Sequence, residues 1–124
     1  MHTQEEVANR MKLVIRESGE RLGDQIERAY TFWRRLRGLV GRRSLSSGSG
    51  LHIQPCKSVH MFFMTCDLDV LHLDKAGVIV GMEHRLQPGR IGAVFEGTRS
   101  VVELPAGTLA AAKVELGQTA ILEP

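Results

Sequence analysis

The sequence predicts a single α+β domain, rich in β-structure, with a curled or barrel-like, mainly antiparallel sheet and one or two short helices. Three observations lead to this fold class. The chain has 124 residues, of which 43% are hydrophobic, and this size suits one domain around one core. It contains thirteen glycines and few aromatic residues, which favours many turns. Its apolar runs are short, β-branched and bounded by turn residues, as in sheets of short strands.

The strands follow from these runs. They are predicted over residues 11–16, 51–54, 58–64, 68–74, 78–83, 100–104 and 119–122, and residues 24–28 fit either a second strand or the start of a helix. The run 58–64 is apolar on both faces, as in a central strand. Residues 74–77, Asp-Lys-Ala-Gly, predict a hairpin turn between two of the strands.

Two short helices complete the predicted domain. Residues 32–39 repeat apolar side chains at helical spacing, with Thr31 as the N-cap and Gly41 as the stop. Residues 105–116 predict a short helical turn. Residues 1–10 are polar and are expected to form a flexible extension, so that the domain covers residues 11–124.

Positive charge is concentrated in one segment. The net charge is only +2, yet residues 28–43 hold six arginines and no acid. Four of these arginines are candidates for anion binding: Arg34, Arg35, Arg42 and Arg43. A solvated basic face is the alternative interpretation.

The remaining composition argues against several classes of protein. No secretory signal and no membrane-spanning run is visible, so we expect a cytoplasmic protein without a membrane partner, and thiols at Cys56 and Cys66. His52, Cys56, His60 and Cys66 lie close in sequence but form no metal-binding motif. The sequence therefore predicts no metal and no cofactor.

Several ordered segments resemble one family. They are Arg-Leu-Arg-Gly-Leu-Val-Gly-Arg at 35–42, Cys-Lys-Ser-Val-His-Met-Phe-Phe-Met at 56–64, Leu-Asp-Val-Leu-His-Leu-Asp at 68–74, Gly-Val-Ile-Val at 77–80 and Val-Glu-Leu-Pro-Ala-Gly at 102–107. Together they resemble the domain of unknown function 192 family of bacteria and archaea. The resemblance implies a compact β-rich fold and no assigned activity. Members often carry Arg or Lys where this chain has Thr65, and Pro where it has Asp67.

Asp69 is the first candidate functional residue. In the strand 68–74 it shares a face with Leu71 and Leu73. A carboxylate on an apolar face must be paired or hydrogen-bonded. It is therefore either a structural acid that holds a loop backbone or an arginine, or a ligand-binding or catalytic acid with a shifted pKa.

Other polar residues are candidates for the same site. His60, Lys57 and Ser58 lie at the start of the predicted central strand, and Glu103 lies on a later strand. With Asp69 and Arg37 they could frame a binding pocket. A half-buried histidine with a backbone partner and an ordinary surface acid are the alternative interpretations.

Three classes of function remain. The first and favoured one is a binding module for a small molecule or a protein partner, because the polar residues are scattered and assemble no recognisable catalytic set. The second is a small hydrolase-like enzyme that uses Asp69 and His60 as an acid–base pair. The third, least favoured because the net charge is small, is a nucleic-acid-binding or regulatory protein that uses the basic segment 28–43.

Overall fold

The computed structural model describes residues 10–30, 45–61 and 64–124. These ranges contain seven strands and one short helix: β1 Arg10–Ile15, β2 Arg21–Ala29, β3 Ser49–Ile53, β4 Leu68–Leu73, β5 Ile79–Leu86, β6 Ser100–Pro105, α1 Thr108–Ala111 and β7 Ala120–Glu123. Most of the predicted strands are confirmed within one to three residues. The ambiguous segment 24–28 is a strand, part of β2.

The strands form one sheet in the order β5-β4-β6-β3-β2-β1-β7. β2 and β3 run parallel, and the other neighbouring pairs are antiparallel. The sheet is curled, so that its two edge strands, β5 and β7, come close to each other. Val78, just before β5, and Thr119, just before β7, form one bridge. There the Ile79 amide donates to the Gln118 carbonyl at 2.8 Å. The predicted fold class is confirmed.

The sheet has an inner and an outer apolar face. The inner face holds Met11, Leu13, Ile15, Leu22, Ile26, Leu71, Leu73, Ile79, Val102 and Leu104, together with Leu109 of α1 and Val114 and Ala120 beyond it. The outer face of the central strands holds a smaller cluster of Ala29, Leu51, Ile53, Val59, Val70 and Val101. A strand buried on both faces, such as β4, therefore separates two layers.

The predicted hairpin turn at 74–77 is confirmed. Asp74 Oδ1 accepts hydrogen bonds from the amides of Ala76 at 2.8 Å and Val78 at 2.9 Å. Gly77 has φ +85°, a left-handed conformation that glycine adopts without a steric penalty. The side chain of Asp74 thus takes the place of backbone partners within the turn.

Two predicted elements differ in the structure. Residues 58–64 were expected to form a central strand, but their described part makes one bridge, between His60 and Ile91. Val59 and Met61 are buried against the rest of the protein, so burial without sheet pairing explains the apolar pattern. The helical turn predicted at residues 105–116 is shorter in the structure, where only α1 is helical. Pro105, predicted to open the turn, is the last residue of β6.

Some predictions fall elsewhere in the chain. The helix predicted at 32–39 lies outside the described residues, as do residues 1–9 of the predicted extension, while Arg10 begins β1. No helix within the described ranges is long and apolar enough to cross a membrane.

Candidate functional site

Asp69 lies on the inner face of the sheet with its side chain fully buried. Its Oδ1 accepts the backbone amide of Arg85 at 2.9 Å. Its Oδ2 accepts the amides of Gly107 at 3.1 Å and Leu109 at 2.9 Å. Asp69 is 0% exposed, and three N–H donors compensate its buried charge.

These bonds join two irregular pieces of backbone. The pairing of β4 with β5 shifts register beside Asp69, and Arg85 has φ +52° there. Gly107, at φ +92°, is the N-cap of α1 and has no side-chain cap of its own. The geometry is that of the structural acid considered from the sequence, with a loop backbone as its partner.

Glu103 and Asp69 point to opposite faces. In the β4–β6 register Asp69 pairs with Leu104, whereas Glu103 pairs with Val70. Paired residues of antiparallel strands share a face and neighbours alternate. The structure therefore does not bring the two carboxylates together, although Glu103 is buried on the outer side.

Lys57, Ser58 and His60 belong to a different feature, which we call the loop platform: residues 57–61 and 89–94. The two segments are joined by backbone hydrogen bonds. The Met61 amide donates to the Arg90 carbonyl at 2.8 Å, and Met61 accepts from the Gly89 amide at 2.8 Å. The Gly92 amide donates to the Val59 carbonyl at 2.7 Å. The platform is thus a paired and fixed surface.

Two large aliphatic side chains stand out from the platform. Ile91 is 69% exposed and Val94 is 71% exposed. Arg90, next to Ile91 in sequence, and Lys57, on the other segment of the platform, are exposed, and His60 is half-buried. Ser58, also half-buried, accepts the Cys56 thiol through its carbonyl at 3.0 Å.

A histidine–glutamate pair lies beneath the platform. Glu83 Oε2 accepts the Ala93 amide of the platform at 3.0 Å. Glu83 Oε1 lies 3.6 Å from His72 Nε2, and His72 Nδ1 lies 3.2 Å from Thr98 Oγ1. The pair therefore fixes both ends of the segment 93–98.

An aromatic ring covers His72 of this pair. The rings of His72 and Phe95 meet edge to face, with centroids 4.6 Å apart. Phe95 lies over Gly81, where a Cβ would approach Phe95 Cγ to 2.2 Å. Burial lowers the pKa of His72, and the nearby Glu83 carboxylate opposes part of that shift. His72 is therefore neutral at pH 7.

The amino-acid sequence of this chain also has relatives. The model of the DUF192 family, described as "Uncharacterized ACR", matches residues 13–121. The chain belongs to the DUF192 family. A UPF0127 protein of Thermococcus sibiricus is 28% identical over 110 residues, which cover 85% of this chain and 70% of the relative.

Two crystal structures share the fold of this DUF192 protein. One, a protein of unknown function from Novosphingobium aromaticivorans, has a TM-score of 0.75 and 19% identity, and the match covers 90% of this chain and 83% of that one. The other, from Sinorhizobium meliloti, is named as a candidate transcription regulator. It has a TM-score of 0.72 and 22% identity, and the match covers 90% and 91% of the two chains. At these identities the likeness shows the fold alone.

Five predicted site residues of the DUF192 protein are in the segment between β2 and β3. Arg37 and the four candidate anion-binding arginines, Arg34, Arg35, Arg42 and Arg43, lie outside the described residues. Within the described ranges no cluster of three or more histidine, cysteine, aspartate or glutamate side chains could hold a metal ion. Neither Cys56 nor Cys66 forms a disulfide.

Sequence reasoning missed His72 and Glu83. His72 occupies an even position of the strand 68–74, so its side chain lies on the face opposite to that of Asp69. The predicted hairpin turn held the useful signal, because an antiparallel hairpin around 74–77 brings residues near 72 and near 82 to one face. Its register, His72 opposite Gly81 and Val70 opposite Glu83, places the two side chains together.

Proposed function

We propose that this protein is a small binding module whose loop platform docks an apolar, acid-bearing segment of a partner protein. The observation that carries the proposal is the exposure of Ile91 and Val94 on a segment whose backbone is fixed. Single exposed aliphatic residues are common on protein surfaces. Ile91 and Val94 lie three residues apart on one short, anchored segment, where they supply exposed apolar surface for an interaction.

The anchoring of the platform favours binding. Hydrogen bonds from Gly92 to Val59 and from Met61 to Arg90 hold the two segments in one arrangement. Glu83 fixes Ala93 from below. A surface that is ordered before it meets its partner loses little conformational entropy on association.

Charge supports an acidic partner. The platform, residues 57–61 and 89–94, carries Lys57 and Arg90 and no acid. Both of these side chains are exposed. Complementary charge around an apolar centre speeds association and excludes basic partners.

The other two functions receive less support. An acid–base pair of Asp69 and His60 would need an accessible carboxylate, whereas Asp69 is fully buried and accepts three backbone amides. Nucleic-acid binding is less favoured because the net charge is only +2. We also propose that the binding module is cytoplasmic, which is consistent with two cysteines that form no disulfide.

The test is a peptide array screened with the purified protein. Peptides that combine acidic and aliphatic residues are expected to be enriched, with binding that weakens as salt rises. Ile91→Asp and Val94→Asp should each abolish this binding. The matched control is Leu116→Asp, because Leu116 is 62% exposed but lies between α1 and β7.

The result that overturns the proposal is equally clear. Enriched peptides that bind the Ile91→Asp and Val94→Asp variants as well as the parent protein would show that the platform is not the site. An array without acidic–aliphatic enrichment would also exclude this partner class. A platform buried by a second copy, shown by a dimer that Ile91→Asp converts to a monomer, would exclude a foreign partner.

A further inference from the structure

The backbone of the loop platform has a paired side and an open side. His60 and Ile91 face each other in an antiparallel bridge. The hydrogen bonds around this bridge are made by their neighbours, such as the bond from the Gly92 amide to the Val59 carbonyl. In a facing pair of this type, the N–H and C=O groups of the two residues point away from each other. The Ile91 amide and carbonyl therefore point away from residues 57–61.

The Ile91 amide and carbonyl face solvent. Neither group has a hydrogen-bond partner within the part of the chain that the structure describes. Backbone groups left unpaired in a protein interior are rare, and Ile91 is 69% exposed. The next amide on the same side of the segment, that of Ala93, already donates to Glu83 Oε2. Ile91 therefore supplies the open donor of this edge.

The open side of the platform lies towards the rim of the sheet. Val59, on the paired side, belongs to the apolar cluster over the central strands. Gly92 lies over Glu83 of β5, where a Cβ on Gly92 would approach Glu83 Oε1 to 2.7 Å. β5 is an edge strand of the sheet. The segment 89–94 therefore turns its open side away from the centre of the sheet, where a further chain can lie beside it.

We infer that the platform binds its partner segment in an extended conformation, as a strand added beside Ile91. The inference rests on the proposed function of the platform and defines the form of its ligand. One residue of the partner exchanges two hydrogen bonds with Ile91, one through each backbone group, as in a hydrogen-bonded antiparallel pair. The side chain of that residue lies next to the exposed Ile91 side chain, so an aliphatic residue fits this position.

The backbone of Ile91 favours an extended partner over a helical one. A helix has already paired its own amides and carbonyls. If it packed on the Ile91 side chain, it would cover the open amide and carbonyl without bonding to them, and a polar group that is covered and unpaired opposes binding. An extended segment pairs both groups while it buries the aliphatic side chain. Its acidic residues complement the exposed cations Arg90 and Lys57.

Amide hydrogen exchange, followed for each residue by NMR, tests the inference in the unaltered protein. The probe is the tightest-binding peptide of the acidic–aliphatic array. In the free protein the Ile91 amide should exchange quickly, because it is exposed and unbonded. With the peptide at about 100 times its Kd, exchange at Ile91 should slow roughly 100-fold.

The control is the amide of Leu116. Leu116 is also an exposed aliphatic residue, and its amide likewise has no hydrogen-bond partner among the described residues. It lies between α1 and β7, away from the platform. Its exchange should stay fast when the peptide is bound.

Methylation of single peptide amides detects the other half of the pair. The one N–H that donates to the Ile91 carbonyl cannot be replaced by N–CH3 without loss of that bond, so binding should weaken about tenfold. Adjacent amides of an extended chain point to opposite sides. Methylation of either neighbouring amide should therefore weaken binding much less.

The outcomes separate this inference from the proposed function. A peptide that Ile91→Asp no longer binds, but that leaves the Ile91 amide of the parent protein in fast exchange, would overturn the added strand and keep the platform as the site. Equal effects of methylation at every peptide amide would also overturn the added strand. If the array yields no acidic–aliphatic peptide, the proposed function fails and this inference fails with it.

Discussion

Acidification should destabilise this protein through His52 before its carboxylates are protonated. In the unfolded chain the imidazole titrates near 6.5, whereas in the folded protein burial lowers its pKa to about 4. Between pH 6.5 and pH 4 the unfolded state binds more protons than the folded state, so the free energy of unfolding falls as the pH falls. At about 1.4 kcal/mol for each pH unit between the two values, the loss by pH 4 is roughly 3 kcal/mol.

The size of this loss makes it measurable. A domain of this length has a stability of about 5–15 kcal/mol, so roughly 3 kcal/mol is a large share. Urea unfolding at pH values from 7 to 4 gives the free energy directly. His52→Phe should remove most of the loss, while the lowered pKa of the buried His72 leaves a residual slope of the same sign.

The control is an exposed histidine. His84 lies on the surface of β5, so His84→Gln removes a histidine without changing the surroundings of His52, and this variant should keep the loss of stability that His52 causes. If His52→Phe kept the full loss of stability between pH 6.5 and 4, the burial of a neutral imidazole at position 52 would not be its source, and the reasoning would be refuted.

Three further substitutions, with Asp74→Asn as the control for the first, test other contacts. Asp69→Asn should lower the free energy of unfolding in urea by about 2–4 kcal/mol, because an amide cannot accept hydrogen bonds on both sides. Asp74→Asn should lower it much less, because one oxygen of Asp74 accepts both bonds. Equal losses in the two variants would contradict the account. Glu83→Gln should lower the pKa of His72 further in an NMR titration, since the carboxylate raises it; an unchanged pKa would exclude their contact. Gly81→Ala should displace the Phe95 ring and cost about 1–3 kcal/mol, and an undisturbed ring in NMR spectra would show the packing to be different.

The strands could be predicted because their signal is local. Short, largely apolar runs between turn residues identify β1, β4 and β6, and Asp74 with Gly77 identifies the hairpin that joins β4 and β5. The segment 58–64 was misjudged because an apolar pattern reports burial alone. Val59 and Met61 are buried by pairing with a distant loop, and the local sequence does not contain that partner.

The candidate site depended on information that single strands lack. The sequence placed Asp69 on an apolar face and left a structural role open, and the three amides that bind it come from residues 85, 107 and 109. Register separates Asp69 from Glu103, since the two lie on opposite sides of the sheet. Register likewise brings His72 to Glu83. Such relations depend on long-range pairing, which composition and periodicity do not determine.

The measurement closest to the central claim is the affinity of one array-selected peptide for two variants compared at a temperature where both are folded. The account assigns recognition to the exposed apolar surface of the loop platform and a structural role to the buried carboxylate on the other face. It predicts that Ile91→Asp loses the peptide while Asp69→Asn keeps it. Loss of binding in Asp69→Asn with full binding in Ile91→Asp would contradict it.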